Sequence, residues 1–360
     1  TDRLMTAYQG NPVAQLTTGY NDTFESTVIA ALEFEQKLDF LTKGLRFKAL
    51  GTFKNWSKSV NKYSAGWNKY LLGAYEQNED GSYSYTTNRV GNEVSTDLNN
   101  TNETAGDRRI YLEAMLDYNR TFGKHDVNAM LLYNQDELVN NVPGNDLINS
   151  LPKRKQGLAG RLSYAYDGKY MAEVNMGYNG SENFADGHRF GFFPAFSLAW
   201  NIAEETFIKK HLKWMNMFKL RYSYGKVGSD KLKIGDTTYR FPYLYTIKDD
   251  GNGWTWSDYG SPDNVYTGMQ YTQLASNNVT WEIATKHDAG VDLSLFNDKF
   301  TATVDYFHEQ RDGIYMERNY LPGIVGVNTY PKANVGSVRS KGFDGNFAYK
   351  QKIGKVNLTV

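Results

Sequence analysis

The 360-residue chain carries 40 Lys plus Arg against 40 Asp plus Glu, is 15% aromatic, and has no cysteine. The charge balance removes the usual basis for binding nucleic acid or an anionic membrane surface. The missing Cys excludes disulfides, zinc–thiolate sites and cysteine nucleophiles. Mean hydropathy is −0.60 and no run of 18 apolar residues occurs, so no transmembrane helix is predicted; barrel strands, short and only half apolar, stay open.

The chain opens Thr1-Asp2-Arg3, without a start methionine or signal peptide. It stops at Val360 inside the alternating stretch Lys355 to Val360. It therefore reads as an internal segment of a longer protein.

Period two dominates. Ile110, Leu112, Ala114, Leu116 and Tyr118 oppose Glu113 and Asp117. Tyr170, Ala172, Val174, Met176 and Tyr178 oppose Glu173, Asn175 and Gly177. Phe218, Leu220, Tyr222 and Tyr224 oppose Lys219, Arg221, Ser223 and Gly225, and Phe300, Ala302, Val304 and Tyr306 oppose Thr301, Thr303 and Asp305. Each is a strand with one apolar and one polar face. Strands are predicted at about 24–35, 45–56, 108–119, 125–135, 157–166, 169–179, 189–201, 215–226, 286–296, 299–310, 338–350 and 355–360. Only 204–214 suggests a short helical turn. Most strands have about the 9–11 residues that a tilted strand needs to cross a bilayer.

Connection lengths alternate along the chain. Short connections (38–44, 120–124, Asp167-Gly168, the compact 202–214, 297–298 and 351–354) trade places with longer ones at 57–107, 136–156, 180–188, 227–285 and 311–337. A meander with tight turns at one end and long loops at the other is the outer-membrane barrel pattern. A soluble sandwich has no reason to sort loop length by parity, since both its ends face water. Rings bracket the apolar faces: Tyr170 and Tyr178, Phe190 and Trp200, Phe218 and Tyr224, Phe300 and Tyr306. Such positions suit the two membrane interfaces, although aromatics also favour a soluble sheet core.

No catalytic, metal-binding or cofactor-binding constellation is found. His125, His188, His211, His287 and His308 are scattered, without metal-ligand spacing. His287-Asp288 and His308-Glu309 are strand neighbours, so each pair points to opposite faces. The loop 227–285 holds Trp254, Trp256, Asp258, Tyr259 and Asp263. Rings that stack on sugar C–H faces beside carboxylates that accept hydroxyl hydrogen bonds suit a glycan or peptide surface. A loop of this length also needs a core of its own, which gives the same rings a packing role within the loop or against a partner. The polar strand positions Glu113, Asp117, Glu173, Asn175, Lys219, Arg221, Asp292 and Asp305 would line a lumen.

The run 151–205 (LPKRKQGLAGRLSYAYDGKYMAEVNMGYNGSENFADGHRFGFFPAFSLAWNIAEE) resembles the SusC/RagA-like TonB-dependent transporters of Bacteroidota. Its Ser181-Glu182-Asn183-Phe184 loop, Gly191-to-Pro194 segment and Ser197-to-Trp200 strand follow that family's order. KLRYSYGKVGSD (219–230), WEIATKHDAGVDLSLFNDKFTATVDYFHEQRDGIY (281–315), NVGSVRSKGFDG (334–345) and the opening LMTAYQGNPVAQL (4–16) are similar too. The resemblance implies an all-β fold, an antiparallel transmembrane barrel segment supplying about 12 of some 22 strands. Residues 1–360 would be one partial barrel domain, with the plug domain and first strands before it and the last strands after it. It further implies an outer-membrane importer, not an enzyme, that takes up oligosaccharide or peptide. Its partners would be a SusD-like surface lipoprotein, TonB and outer-membrane lipid, with no nucleic acid and no cofactor. The alternative from another class is a soluble or surface-exposed β-rich glycan-binding or adhesin module. A third is a complete twelve-stranded outer-membrane enzyme or passive pore.

Overall fold

The computed structural model describes residues 16, 18–144, 146–256, 264–319, 322, 324 and 329–360. The chain starts with β1 (Gly19–Lys37) and β2 (Leu45–Ser64), followed by a separate hairpin of β3 (Lys69–Gln77) and β4 (Tyr83–Val90). Next come β5 (Asn99–Phe122), β6 (His125–Asn140), the one-turn helix α1 (Leu147–Ser150), β7 (Lys153–Tyr166), β8 (Tyr170–Ser181) and β9 (Phe190–Asn201). A 3₁₀ turn (Ile202–Glu204) and α2 (Thr206–His211) lead to β10 (Met215–Ser229). Two small hairpins follow, β11 (Leu232–Ile234) with β12 (Thr237–Tyr239) and β13 (Thr246–Trp256) with β14 (Asn264–Gln273). The chain ends with β15 (Glu282–Leu295), β16 (Phe300–Glu317), β17 (Lys332–Ile353) and β18 (Val356–Thr359).

Twelve strands form one sheet in the order β1-β2-β5-β6-β7-β8-β9-β10-β15-β16-β17-β18. Each is paired antiparallel with its neighbour in sequence, the loop hairpins aside. These twelve are the strands expected from the alternation. The short connections gather at one end of the meander, and the hairpins β3–β4, β11–β12 and β13–β14 lie within the connections of the other.

The tight turns follow from local chemistry. Between β7 and β8 the Lys169 N–H donates to Tyr166 O at 2.8 Å, and the central Asp167 and Gly168 have φ of 51° and 68°. That is the twist-matched hairpin turn an Asp-Gly pair favours.

Several strands run well past the predicted boundaries. β5 has 24 residues, and the stretch 57–107, expected as a loop, contributes the ends of β2 and β5 as well as β3–β4. Residues 99–108 (NNTNETAGDR) are polar on both faces, so they carry no alternation to read. They pair nonetheless: Asn102 Nδ2 donates to Asn61 Oδ1 at 2.8 Å, and Lys62 forms an ion pair with Glu103. Water accepts both faces of such a strand, so only the ladder decides its conformation.

Candidate binding and partner surfaces

The register sorts the sheet into two unlike faces. One row runs Leu162, Val174, Phe196, Tyr224 and His287 across five neighbouring strands, and the next runs Tyr164, Ala172, Leu198, Tyr222 and Ala289. Rings stack near both ends of this apolar face. Tyr170 lies 6.3 Å from Trp200 and Trp214 5.4 Å from Phe296 at the short-turn end. Tyr178 lies 5.2 Å from Phe190 toward the long-loop end. Tyr170 and Tyr178 are eight residues apart, roughly 26 Å along a strand, close to the height of an outer-membrane apolar band.

The opposite face holds ion pairs. Arg46 reaches Asp117 at 2.7 Å and Glu35 at 3.4 Å, and Lys48 meets Glu35 at 3.3 Å. Arg109 forks onto both oxygens of Asp136 at 2.6 and 2.9 Å. Tyr111 donates to Glu113 at 2.5 Å, and Glu173 accepts from Arg161 at 2.6 Å and from Asn175 at 2.8 Å. Lys219 stands opposite Asp292 in register. Arg221 sits at the centre of an acidic group: Asp305 at 2.6 Å, Asp292 at 3.2 Å and Asp288 at 3.6 Å. Its side chain crosses Gly290, which lies between Arg221 and Asp305 in register. A Cβ at Gly290 would fall 2.1 Å from Asp305 Oδ1 and 2.6 Å from Arg221 Cζ. The three-strand bridge therefore needs glycine there.

All eight polar positions expected from the alternation share this face. The structure adds further charged residues on this face that the sequence reading did not single out: Glu35, Arg46, Lys48, Arg109, Asp136 and Arg161. All but Asp136 sit at polar positions of expected strands, where parity is the available signal; Asp136 lies one residue past the expected end of its strand, which continues to Asn140. His287 and His308, scattered in the sequence, meet across β15 and β16 with ring centroids 6.1 Å apart. No metal-binding group of three or more His, Cys, Asp or Glu occurs among the described residues.

The loop rings divide. Trp254 and Trp256 pair through the backbone with Tyr266 and Asn264 in β13–β14. Their side chains, and Asp258, Tyr259 and Asp263, lie outside the described residues. The loop does have a core, built from other residues. Phe184, Phe193, Leu232, Val279, Trp281 and Tyr315 form one buried cluster, with Trp281 5.3 Å from Phe184 and 5.2 Å from Phe193. Asp230 fastens it to the wall, binding Lys155 Nζ at 2.7 Å and Ser181 Oγ at 2.8 Å. Asn183 then donates to Asp230 O and accepts from the Phe241 N–H. Tyr266 and Tyr271, by contrast, are exposed, as are Tyr70, Tyr75, Tyr83 and Tyr85 on β3–β4.

Exposure decides between a soluble sheet and a membrane wall. Leu162, Val174 and Leu198 are 53%, 55% and 56% exposed, whereas Asp305 on the opposite face is 9% exposed. A soluble protein does not leave a continuous apolar face of this extent to water; lipid would cover it. Residues 4–359 match the family described as TonB dependent receptor-like, beta-barrel. The chain belongs to that family. It is thus an outer-membrane chain of a Gram-negative bacterium, in a family of receptors and transporters rather than enzymes. TonB-dependent receptor P3 of Formosa agariphila is 25% identical over 346 residues, 90% of this chain and 30% of that protein. TonB-dependent receptor SusC of Bacteroides thetaiotaomicron is 28% identical over 185 residues, 51% of this chain and 17% of SusC. The RagAB peptide transporter shares the fold, with a TM-score of 0.64 at 16% identity over 95% of this chain and 36% of that one. The chain therefore spans less than a third of the length of these curated relatives.

Proposed function

We propose that the protein carrying this chain is a TonB-coupled outer-membrane importer for a solute too large for diffusion pores, captured with a SusD-like surface lipoprotein. The observation that carries this reading is the inverted wall: an apolar outer face, an ion-paired inner face and a long-loop end with a core of its own. The inner face would be the lumen, and Glu113, Asp117, Glu173, Asn175, Lys219, Arg221, Asp292 and Asp305 would line it, available to a plug or a passing solute. Mixed charge suits a wall that must hold a folded plug and release it, since exposed pairs are individually weak.

The barrel would be larger than this chain. The chain spans 30% of one curated relative and 17% of the other, so residues 1–360 would be one part of a barrel domain whose plug lies elsewhere in the protein.

An oligosaccharide is the favoured cargo. Exposed tyrosines on β3–β4 and β13–β14 offer the flat, hydroxyl-bearing faces that sugars stack on, and Trp254, Trp256, Asp258, Tyr259 and Asp263 would belong to the same surface. Peptide is the second reading, supported by the likeness in fold to a peptide transporter. The test is gentle extraction of the tagged full-length protein from outer membranes and mass spectrometry of what accompanies it. A stoichiometric surface lipoprotein with trapped sugar is expected; trapped peptide would favour the second reading, and a lone protein soluble without detergent would overturn both.

A further inference from the structure

We infer that the long-loop end of the wall holds a site for an anionic group, a carboxylate or a sulfate or phosphate ester, borne by the solute. The inference rests on the importer reading and adds the charge of the cargo to it.

The site is a cavity of about 200 Å³ between the start of β7, the turn after β8 and the segment 230–241. Five cations line it, Lys153, Arg154, Lys155, Lys231 and Arg240, against two carboxylates, Glu182 and Asp230. Both carboxylates are engaged: Asp230 by Lys155 at 2.7 Å, Glu182 by Arg154 at 3.6 Å. Lys153, Lys231 and Arg240 have no carboxylate within 4 Å among the described residues. In a chain whose charges cancel overall, three cations without a direct ion pair, from three separate places in the sequence, are a local excess created by folding.

Arg240 is held rigidly. Its guanidinium donates to the carbonyls of Ile148, Leu151 and Pro152 at 2.8, 3.0 and 3.1 Å and lies 4.7 Å from the Phe241 ring centre. Carbonyls satisfy its N–H groups but do not cancel its charge. Burial pushes this guanidinium below its usual value, and the charge of Asp146 acts the other way. Asp107 lies beyond Lys153 and Arg240, in a neighbouring cavity of about 240 Å³. Lys153 and Arg240 line the same cavity with like charge, a repulsion that an incoming anion would reverse. The space suits one charged group rather than a whole oligomer.

Lys153 and Lys231 are both exposed, so K153Q/K231Q should fold normally, checked by the heat-induced gel shift of the intact barrel. Two probe pairs that differ only in charge separate glycan from peptide: octagalacturonate against its methyl ester, and hexaglutamate against hexaglutamine. Binding to the detergent-purified full-length protein should favour one acidic member over its neutral isostere. The double substitution or 0.5 M salt should weaken that binding at least tenfold, while leaving any neutral binding unchanged. Equal binding of acidic and neutral members, no acidic binding, or an unaffected K153Q/K231Q would overturn the site. Energy-dependent uptake of neutral probes without charge preference would overturn it too and leave the importer standing. Anion binding without such uptake would do the reverse.

Discussion

Gly290 illustrates how one position holds three strands together. Arg221 can reach Asp305 only by crossing a residue that has no side chain. We expect G290V to break that pair and leave Asp305 buried beside an acidic group, costing about 3 kcal/mol or more. The change should read out as a lower unfolding temperature of the detergent-solubilised barrel; an unchanged value would mean that the bridge contributes nothing. At the short-turn end Glu205 accepts from the Tyr170 hydroxyl at 2.6 Å and the Trp200 indole at 3.2 Å, with Lys169 nearby. These contacts, the tyrosine first, hold its carboxyl below the usual value. A depressed carboxyl stabilises fully above its unfolded value, near 4.3, and loses that effect as pH falls through the folded value. Wild type should therefore exceed E205Q in thermal stability at pH 7, and the difference should shrink as the pH falls below that unfolded value and be gone once it lies below the folded one. A difference that persists in acid would assign the effect to packing.

Among the elements, the long-loop connections divide into packed and free pieces. Trp281 joins Phe184 and Phe193 and donates its indole N–H to Arg189 O at 3.2 Å. W281A should cost about 3–5 kcal/mol in the loop cluster and open 230–241 to protease while the wall stays intact. The β3–β4 hairpin is the opposite case. A lone two-stranded ribbon is marginal in water and its tyrosines are exposed, so deletion of 69–90 should leave the barrel's gel shift unchanged and reduce only partner or solute binding. Sequence legibility follows the same division. Strands such as Tyr170–Ser181 announce themselves because lipid demands one apolar face and the interior demands one polar face. Asn99–Arg108 does not, because a strand wet on both faces has no pattern. Loop-length parity exposed the meander, but nothing local in the chain reveals that Asp230 clamps onto Lys155 and Ser181, or that Arg240 lies beside Lys153. Those are meetings of distant segments, fixed by the closure of the loop and not by any spacing.

The whole molecule is an inside-out sheet, with leucine, valine and aromatic rows where a soluble protein would present charge. The absence of Cys from the chain lets single-cysteine scanning across β7, β8 and β9 read that orientation, with any Cys elsewhere in the protein replaced by Ser. In the full-length protein, in outer-membrane-like vesicles, cysteines at Leu162, Val174, Phe196 and Leu198 should be reached by a lipid-soluble quencher and shielded from a membrane-impermeant maleimide. Cysteines at Arg161, Glu173, Asn175 and Ser197 should show the opposite. A two-residue alternation in this sense is the predicted result. Lipid access to the charged row, or water access to both rows alike, would contradict the membrane wall and the import function proposed from it.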